Sequence, residues 1–300
     1  MSVTRKRAVF AGCARNCAHF LPAVLDNFDR CAGLFADSAV VIVENDSEDA
    51  TRAMLEQWAR TFPNFHAVLL PEMSSRISAR TVRLAEARNH YIERIRRSAL
   101  ADFDYLFAFD CDEVNVTAID PAKVAQAIEF LESRPEHAAV FANQTGCYYD
   151  LWTLRHPQLC PDDIFEQQLA YVLEQGMTDE EAYELTFKKR HLVLPANGAP
   201  IEVASAFGGL GIYKIAYAKN ARYVGQKHRT IRLRTGATID LRIEVCEHVA
   251  FNSDIAAQGG RLFILPWLIN AHFERDDDLV QRGVSTYRRF VISPDRLLLP

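Results

Sequence analysis

A chain of 300 residues, 49% hydrophobic and 24% charged, has the composition of a globular protein with a sizeable core, which excludes disorder as its main state. Its formal charge of -5, from 34 Lys and Arg against 39 Asp and Glu, has the wrong sign for a general phosphate-backbone coat, so no nucleic-acid partner is expected. Ala8 to Gly12 reads as a short buried strand, and His19 to Phe35 as a helix with Leu21, Val24, Leu25 and Phe28 on one face. Ala39 to Val43 is a continuous apolar run, as in a strand covered on both sides. Ser47 or Asp49 is a candidate cap for a helix that turns Met54, Leu55 and Trp58 inward. His66 to Leu70 predicts a third strand, Ser78 to Leu100 a long helix and Tyr105 to Phe109 a fourth strand. Asp120 opens another helix, and Ala138 to Ala142 is the fifth strand.

Strand and helix in alternation, with apolar strands, predict an α/β fold built on a mostly parallel, helix-covered sheet. After about residue 144 the alternation stops. A helix over Ile164 to Glu174, Gly-rich strand text at Phe207 to Tyr213 and a strand at Ile239 to Val245 predict a smaller antiparallel C-terminal part. No linker or internal repeat interrupts the chain. A single domain over 1–300 is expected, with a nucleotide-binding half at 1–143 and an acceptor-binding and C-terminal half at 144–300.

In parallel sheets ligands sit at the carboxyl ends of the strands. Here those ends are polar: Cys13-Ala14-Arg15-Asn16, Glu44-Asn45-Asp46-Ser47, Asp110-Cys111-Asp112-Glu113 and Asn143-Gln144. Asp-x-Asp occurs at Asp102/Asp104, Asp110/Asp112 and Asp276/Asp278, but only the middle pair directly follows a buried strand. Two hard carboxylates there suit Mn²⁺ or Mg²⁺ with positions left open for a substrate diphosphate. Glu44 and Asp46 are candidates for nucleoside contact, and Arg15 lies after the first strand. Arg80, Arg88 and Asn89 stand on and before the long helix, where the two arginines are expected to share a face and meet phosphate or the acidic pair. Tyr149, Asp150, Trp152 and Arg155 combine flat rings with polar groups, a pattern suited to sugar faces. Cys246-Glu247-His248 is expected at a strand end, with His248 a third metal ligand beside Asp110 and Asp112. Lys214 to Arg234 holds seven Lys and Arg and no acid.

Seven scattered cysteines do not form a disulfide framework and are expected as reduced thiols. The basic start Arg5-Lys6-Arg7 is followed by an apolar stretch broken at Arg15, Asn16 and His19, so neither a signal peptide nor an integral membrane segment is expected. The expected location is cytoplasmic, at most peripheral to a membrane.

The order of these features resembles GT-A glycosyltransferases. Tyr149-Asp150-Leu151-Trp152, Phe207-Gly208-Gly209-Leu210-Gly211-Ile212-Tyr213 and Cys246-Glu247-His248 resemble more narrowly the fungal capsule-associated CAP59-type alpha-1,3-mannosyltransferase family, over roughly residues 8 to 255. The resemblance implies a GT-A fold, a nucleotide-diphosphate sugar donor (GDP-mannose in that family), Mn²⁺ or Mg²⁺, a glycan or glycolipid acceptor and retention of configuration. On that reading Asp110 and Asp112, with His248, hold the metal. Asp150 and Glu247 face the reacting sugars. Arg15, Glu44, Asp46, Arg80, Arg88, Asn89, Asp110, Tyr149, Trp152, Arg155, Gly208 and Gly209 bind substrate. Two alternatives stay open: a sugar nucleotidyltransferase, and a catalytically inactive nucleotide-sugar-binding module.

Overall fold

The computed structural model describes residues 3–190 and 192–273; Asp276 and Asp278 lie outside the described residues. The elements run β1 (Arg7–Ala14), α1 (Leu21–Ala32), β2 (Asp37–Glu44), α2 (Thr51–Thr61), β3 (Phe65–Leu69), α3 (Met73–Arg76), α4 (Arg80–Arg96), β4 (Tyr105–Asp110), α5 (Pro121–Glu132) and β5 (His137–Gly146). They continue with α6 (Ile164–Leu173), α7 (Asp179–Thr186), β6 (Ile201–Val203), β7 (Leu210–Lys214), α8 (Ile215–Ala218), β8 (Gln226–Arg232), β9 (Thr238–Glu244), α9 (Glu247–Ala257) and β10 (Arg261–Phe273).

Eight strands form one sheet in the order β3-β2-β1-β4-β7-β5-β10-β6, and β8 with β9 forms a separate antiparallel ribbon. The pairings β3-β2, β2-β1, β1-β4 and β5-β10 are parallel. β7 runs antiparallel between β4 and β5, and β6 antiparallel at the edge. The expected mostly parallel, helix-covered sheet with a smaller antiparallel part is what the chain forms. β1 shows why both faces need cover. Val9 and Ala11 point into one apolar layer with Tyr91, Ile92 and Phe251, while Ala8 and Phe10 point into the other with Val24, Phe28 and Val124. In the second layer the Phe10 ring lies 4.8 Å from Phe107, and Phe28 lies 4.8 Å from Phe109.

Helix starts follow local chemistry. Asp120 accepts the Ala122 N–H ahead of Pro121 in α5, and Asp163 accepts the Phe165 and Glu166 N–H groups of α6. Thr178 and Glu181 form a reciprocal capping box on α7.

Two expectations are corrected. Cys246-Glu247-His248 does not end a strand: Cys246 precedes α9, and Glu247 and His248 form its first turn. Arg80 and Arg88 do not share an environment on α4, since Arg80 is exposed and Arg88 is 3% exposed. Eight residues at about 3.6 per turn leave a lag large enough to carry one to the surface and the other to the sheet.

Candidate active site

Because β1, β2, β4, β5 and β10 are parallel, their carboxyl ends lie along one edge of the sheet. β7 is antiparallel and brings its beginning, Gly208-Gly209-Leu210, to that same edge. Asp110 closes β4 there. Its Oδ1 accepts from Arg88 Nη2 at 2.8 Å, and its Oδ2 faces the Tyr149 hydroxyl at 3.5 Å. Arg88 is buried and also donates from Nε to Glu247 Oε1 at 3.0 Å, with its guanidinium 5.2 Å from the Phe207 ring and 5.8 Å from the Tyr223 ring. Burial opposes the Arg88 charge, but Tyr91, Asp110 and Glu247 outweigh it and hold the guanidinium protonated.

Asp112 starts a 3-10 turn at Glu113–Asn115, its Oδ1 accepting the Val114 N–H at 3.2 Å. Desolvation by the surrounding wall, then the Asp110 carboxylate, push the Asp112 carboxyl above its usual range, and Arg80 opposes them. One side of Asp112 remains open to solvent, which moderates the desolvation and leaves the neighbouring charge as the firmer cause. Asp150 lies beyond β5. Its Oδ1 accepts the Thr153 hydroxyl at 2.8 Å and its Oδ2 the Gly208 N–H at 3.0 Å. Burial pushes its carboxyl up to about 6, Asp110 adds to the rise, and the two hydrogen bonds hold it back.

A layer of amides that sequence reasoning missed lies directly beneath. Gly208 O accepts from Gln144 Nε2 at 2.9 Å and Asn270 Nδ2 at 2.8 Å, while Gly209 O accepts from the Asp110 N–H at 2.9 Å and Asn115 Nδ2 at 2.7 Å. Gly208 and Gly209 adopt φ of +66° and +80°. The turn therefore fixes the Asp150 carboxylate and the Asp110 backbone together. Nothing in sequence spacing signals Asn115 and Asn270, which meet at 2.9 Å across 155 residues.

The remaining candidates divide. Arg15 is exposed beside the end of β1. Glu44 is 2% exposed, and its Oε1 accepts the Ser47 N–H at 2.8 Å. Asp46, at φ +50°, accepts the Ser74 N–H at 2.7 Å; desolvation pushes its carboxyl up, but the bonds from Ser74 and Asn45 win and leave it lowered. Both therefore shape the turn after β2. Asn89 is engaged on both polar ends by the Tyr223 backbone, at 2.9 and 3.0 Å. Arg155 donates to Asp163 and to the carbonyls of Trp152 and Leu154. Trp152 packs edge-on against Phe165 at 4.7 Å. These three side chains belong to the wall rather than to the open edge.

His248 is 2% exposed, stacked on Phe207 at 3.7 Å and edge-on to Tyr223 at 5.3 Å. Burial first and Arg88 second hold its imidazole well below the usual histidine range, so it is neutral. Its ring was expected to reach the Asp110 and Asp112 carboxylates. It lies instead in this aromatic stack on the first turn of α9, with both ring nitrogens buried and without a hydrogen-bond partner. Among the described residues no three His, Cys, Asp or Glu side chains are grouped to hold one ion.

No family model matches the chain, and no curated protein matches it. Several solved structures are similar. The mannosyltransferase PcManGT from Pyrobaculum calidifontis, in complex with GDP-Man and Mn²⁺, is 17% identical with a TM-score of 0.47, over 89% of this chain and 56% of that one. TarS 1-349 of S. aureus is 12% identical with a TM-score of 0.45, over 94% and 65%. The glucosyl-3-phosphoglycerate synthase of Mycobacterium tuberculosis in complex with UDP is 11% identical with a TM-score of 0.40, over 97% and 82%. The chain thus spans less than two thirds of the first two.

Proposed function

We propose that the chain is a GT-A-type glycosyltransferase that moves a sugar from a nucleotide-diphosphate sugar to a glycan or glycolipid acceptor. The observation that carries this reading is the gathering of Asp110, Asp112 and Asp150 at one edge of the parallel strands, with Asp110 held by the buried Arg88. Such crowding of carboxylates is costly unless a cation or a polar ligand completes it.

Asp110 and Asp112 fit a divalent cation. Arg88 occupies one Asp110 oxygen and the 3-10 turn uses one Asp112 oxygen, so each carboxylate has a second hard oxygen to offer Mn²⁺ or Mg²⁺, on Asp110 one that meets the Tyr149 hydroxyl only at 3.5 Å. When bound, the ion supplies Lewis-acid stabilisation of the leaving diphosphate. His248 is not part of that set. Arg80, whose charge acts on Asp112, and Arg15, exposed beside the end of β1, are the phosphate contacts of this reading. Glu44 and Asp46 shape the nucleoside side. Asp150, held by Gly208 and Thr153, faces the reacting sugar, and Tyr149 stands between it and Asp110. Glu247, 4% exposed and bonded to Arg88, positions that arginine rather than touching the sugar.

The narrower reading is a mannosyltransferase acting with retention, as the CAP59-type resemblance implies, working in the cytoplasm or at a membrane surface. All seven cysteines are free thiols, in keeping with a reducing compartment. Among the described residues no helix is long and apolar enough to cross a membrane. The similar structures were solved with GDP-Man, UDP-GlcNAc and UDP, which names the donors to try first.

The test is calorimetric titration of GDP-mannose, UDP-GlcNAc and UDP-glucose with and without Mn²⁺, followed by donor hydrolysis. Asp112→Asn is expected to remove divalent-dependent turnover while leaving the melting temperature unchanged or higher, since it relieves repulsion from Asp110. Wild-type turnover by Asp112→Asn in Mn²⁺ would sink the metal site, and no binding of any sugar nucleotide would sink the glycosyltransferase.

A further inference from the structure

Cys246-Glu247-His248 leads into α9 from its N-cap, and each of the three residues reaches a different part of the site. Glu247 Oε1 accepts from Arg88 Nε on α4 at 3.0 Å, and Arg88 Nη2 in turn donates to Asp110 Oδ1 at 2.8 Å. Cys246 Sγ lies 3.0 Å from the Thr153 hydroxyl, which lies 2.8 Å from Asp150 Oδ1 in the loop beyond β5. His248 stacks on Phe207, the residue before the Gly208 N–H that meets Asp150 Oδ2. One turn further along α9, the buried Asn252 donates to Ser205 Oγ and to Ala206 O, both at 2.9 Å, and so holds the segment that leads into Gly208.

The Cys246 branch has a set direction. Thr153 has one hydroxyl proton, and an ionised Asp150 can only accept it. The Thr153 oxygen is then left to accept from the Cys246 thiol. Burial holds that thiol protonated, so it has a proton to give. Thr153 and Cys246 are both buried, so water does not compete for either bond. The path Cys246–Thr153–Asp150 therefore aims a hydroxyl at one carboxylate, as Glu247–Arg88–Asp110 aims a guanidinium at another. Asp110 and Asp150 repel each other, since the Asp110 charge adds to the rise of the Asp150 carboxyl. Two carboxylates that repel keep a fixed spacing only when each is tied to a rigid support.

We infer that the first turn of α9 is a positioning element, in which Cys246 acts through Thr153 on Asp150 as Glu247 acts through Arg88 on Asp110, so that one turn sets the spacing between the metal-holding and the sugar-facing carboxylates. The inference rests on the glycosyltransferase reading for what the two carboxylates do, but the tie between Thr153 and Asp150 is separately measurable. Thr153 and Cys246 are positioning residues, since each acts through a neighbour. A carboxylate that drifts from its place stabilises the charge of the transition state less well while the donor still binds. Loss of the tie is therefore expected in kcat rather than in the donor KM.

The experiment measures hydrolysis of GDP-mannose, UDP-GlcNAc and UDP-glucose in Mn²⁺ by the full chain and its Thr153→Val, Thr153→Ser, Asp150→Asn and Thr153→Val/Asp150→Asn variants. Valine keeps the shape of threonine and the backbone N–H that reaches Asp150 Oδ1 at 3.4 Å, and removes only the hydroxyl. Thr153→Val is expected to lower kcat about 10-fold or more with KM within about 2-fold, and Thr153→Ser to stay within about 3-fold of wild type. In the Asp150→Asn background Thr153→Val should cost no further kcat, because its path ends at Asp150. Wild-type kcat in Thr153→Val, an equal loss in Thr153→Ser, or losses that multiply in the double variant overturn the element. Cys246→Ala and Cys246→Ser form a second pair with the same expectations, should Thr153→Val fail to fold. The ¹³C carboxyl signal of Asp150, assigned by its absence in Asp150→Asn, is also titrated on the metal-free proteins. Asp110 is the charged group that acts on Asp150, with Tyr148, Tyr149, Tyr213 and Cys246 as neutral titratable neighbours. All five remain in Thr153→Val, so loss of a donor to the ionised form should move the midpoint up. An unmoved midpoint overturns the tie, whether or not the wild type hydrolyses a donor. Absence of donor hydrolysis by the wild type, with the midpoint shift present, would instead overturn the glycosyltransferase reading alone.

Discussion

Arg88 keeps its charge where only 4% of its side chain meets water, and it does so between Asp110 and Glu247. Removing one member of such a group leaves uncompensated charge in a poorly solvated place, at a cost of about 3–5 kcal/mol. Arg88→Met is therefore expected to destabilise the protein by that order in urea unfolding. Arg88→Lys should recover part of the stability but not the geometry, since an ammonium cannot reproduce the fork that reaches both carboxylates. If Arg88→Met unfolds at the wild-type midpoint, the buried bridge is not what holds Asp110 in place. Asp150 carries a pH signature. Its carboxyl is raised to about 6, so its protonated form is favoured by folding. That contribution is fully present below the ordinary carboxylate value and is lost as pH rises through about 6. Asp150 retains some open surface, so at most about 3 kcal/mol is involved. Catalysis should run the other way. If Asp150 works ionised against the sugar, kcat/KM should climb through about pH 6. Asp150→Asn should remove that limb and lose about 100-fold or more in rate. An unshifted acid limb in Asp150→Asn would assign the titration to another group.

The turn that leads into β7 is the element on which the site depends most. Gly209 has φ +80°, and a Cβ there would stand 2.5 Å from Val114 Cγ1 in the 3-10 turn after β4. Gly209→Ala is expected to cost about 1–3 kcal/mol, to shift Asp110 through its backbone bond, and to weaken divalent binding. Gly236 provides the control, because it has φ +87° with nothing within 4 Å of its would-be Cβ, so Gly236→Ala should cost only about 1 kcal/mol and leave the site alone. Equal losses in the two, measured by urea unfolding and metal titration, would show that only backbone strain matters. The same element marks where sequence reading stops. Strands β1 to β5 were legible because each is an apolar run set off by a neighbouring helix, β1 to β4 by the helix that follows and β5 by α5 before it, so local pattern and tertiary burial agree. The Asp110/Asp112 pair was legible for the same reason, as polar residues that end a buried strand. The insertion of β7 between β4 and β5 was not, since its partners lie about 70 to 100 residues upstream and no period records that distance. His248 was misplaced because Ile239 to Val245 alternates like a strand and does form one, while the next three residues turn into α9. The Arg88–Glu247 bond, 159 residues long in sequence, has no local signature at all.

At the scale of the whole molecule the sheet decides how the two sequence halves behave. A boundary at residue 143 falls inside β5, and β7 from the later half fills the place between β4 and β5. The candidate site thus needs strands from both sides of that boundary: Asp110 from one, Asp150 and the Gly208 turn from the other. An excised 1–143 fragment would leave the β4 edge unpaired and the apolar faces of β4 and β5 uncovered, so it is not expected to fold alone. For the intact chain we expect one cooperative unfolding transition in scanning calorimetry at pH 7. Saturation with a nucleotide sugar and Mn²⁺ at about 100 times the dissociation constant should stabilise the folded state by about 2.7 kcal/mol. For a domain of this size that moves the midpoint by about 4 °C. The whole transition should move, because the ligand would touch residues on strands from both halves. Two resolved transitions, only one of them responding to donor and Mn²⁺, would show instead that the halves fold as separate units despite the shared sheet.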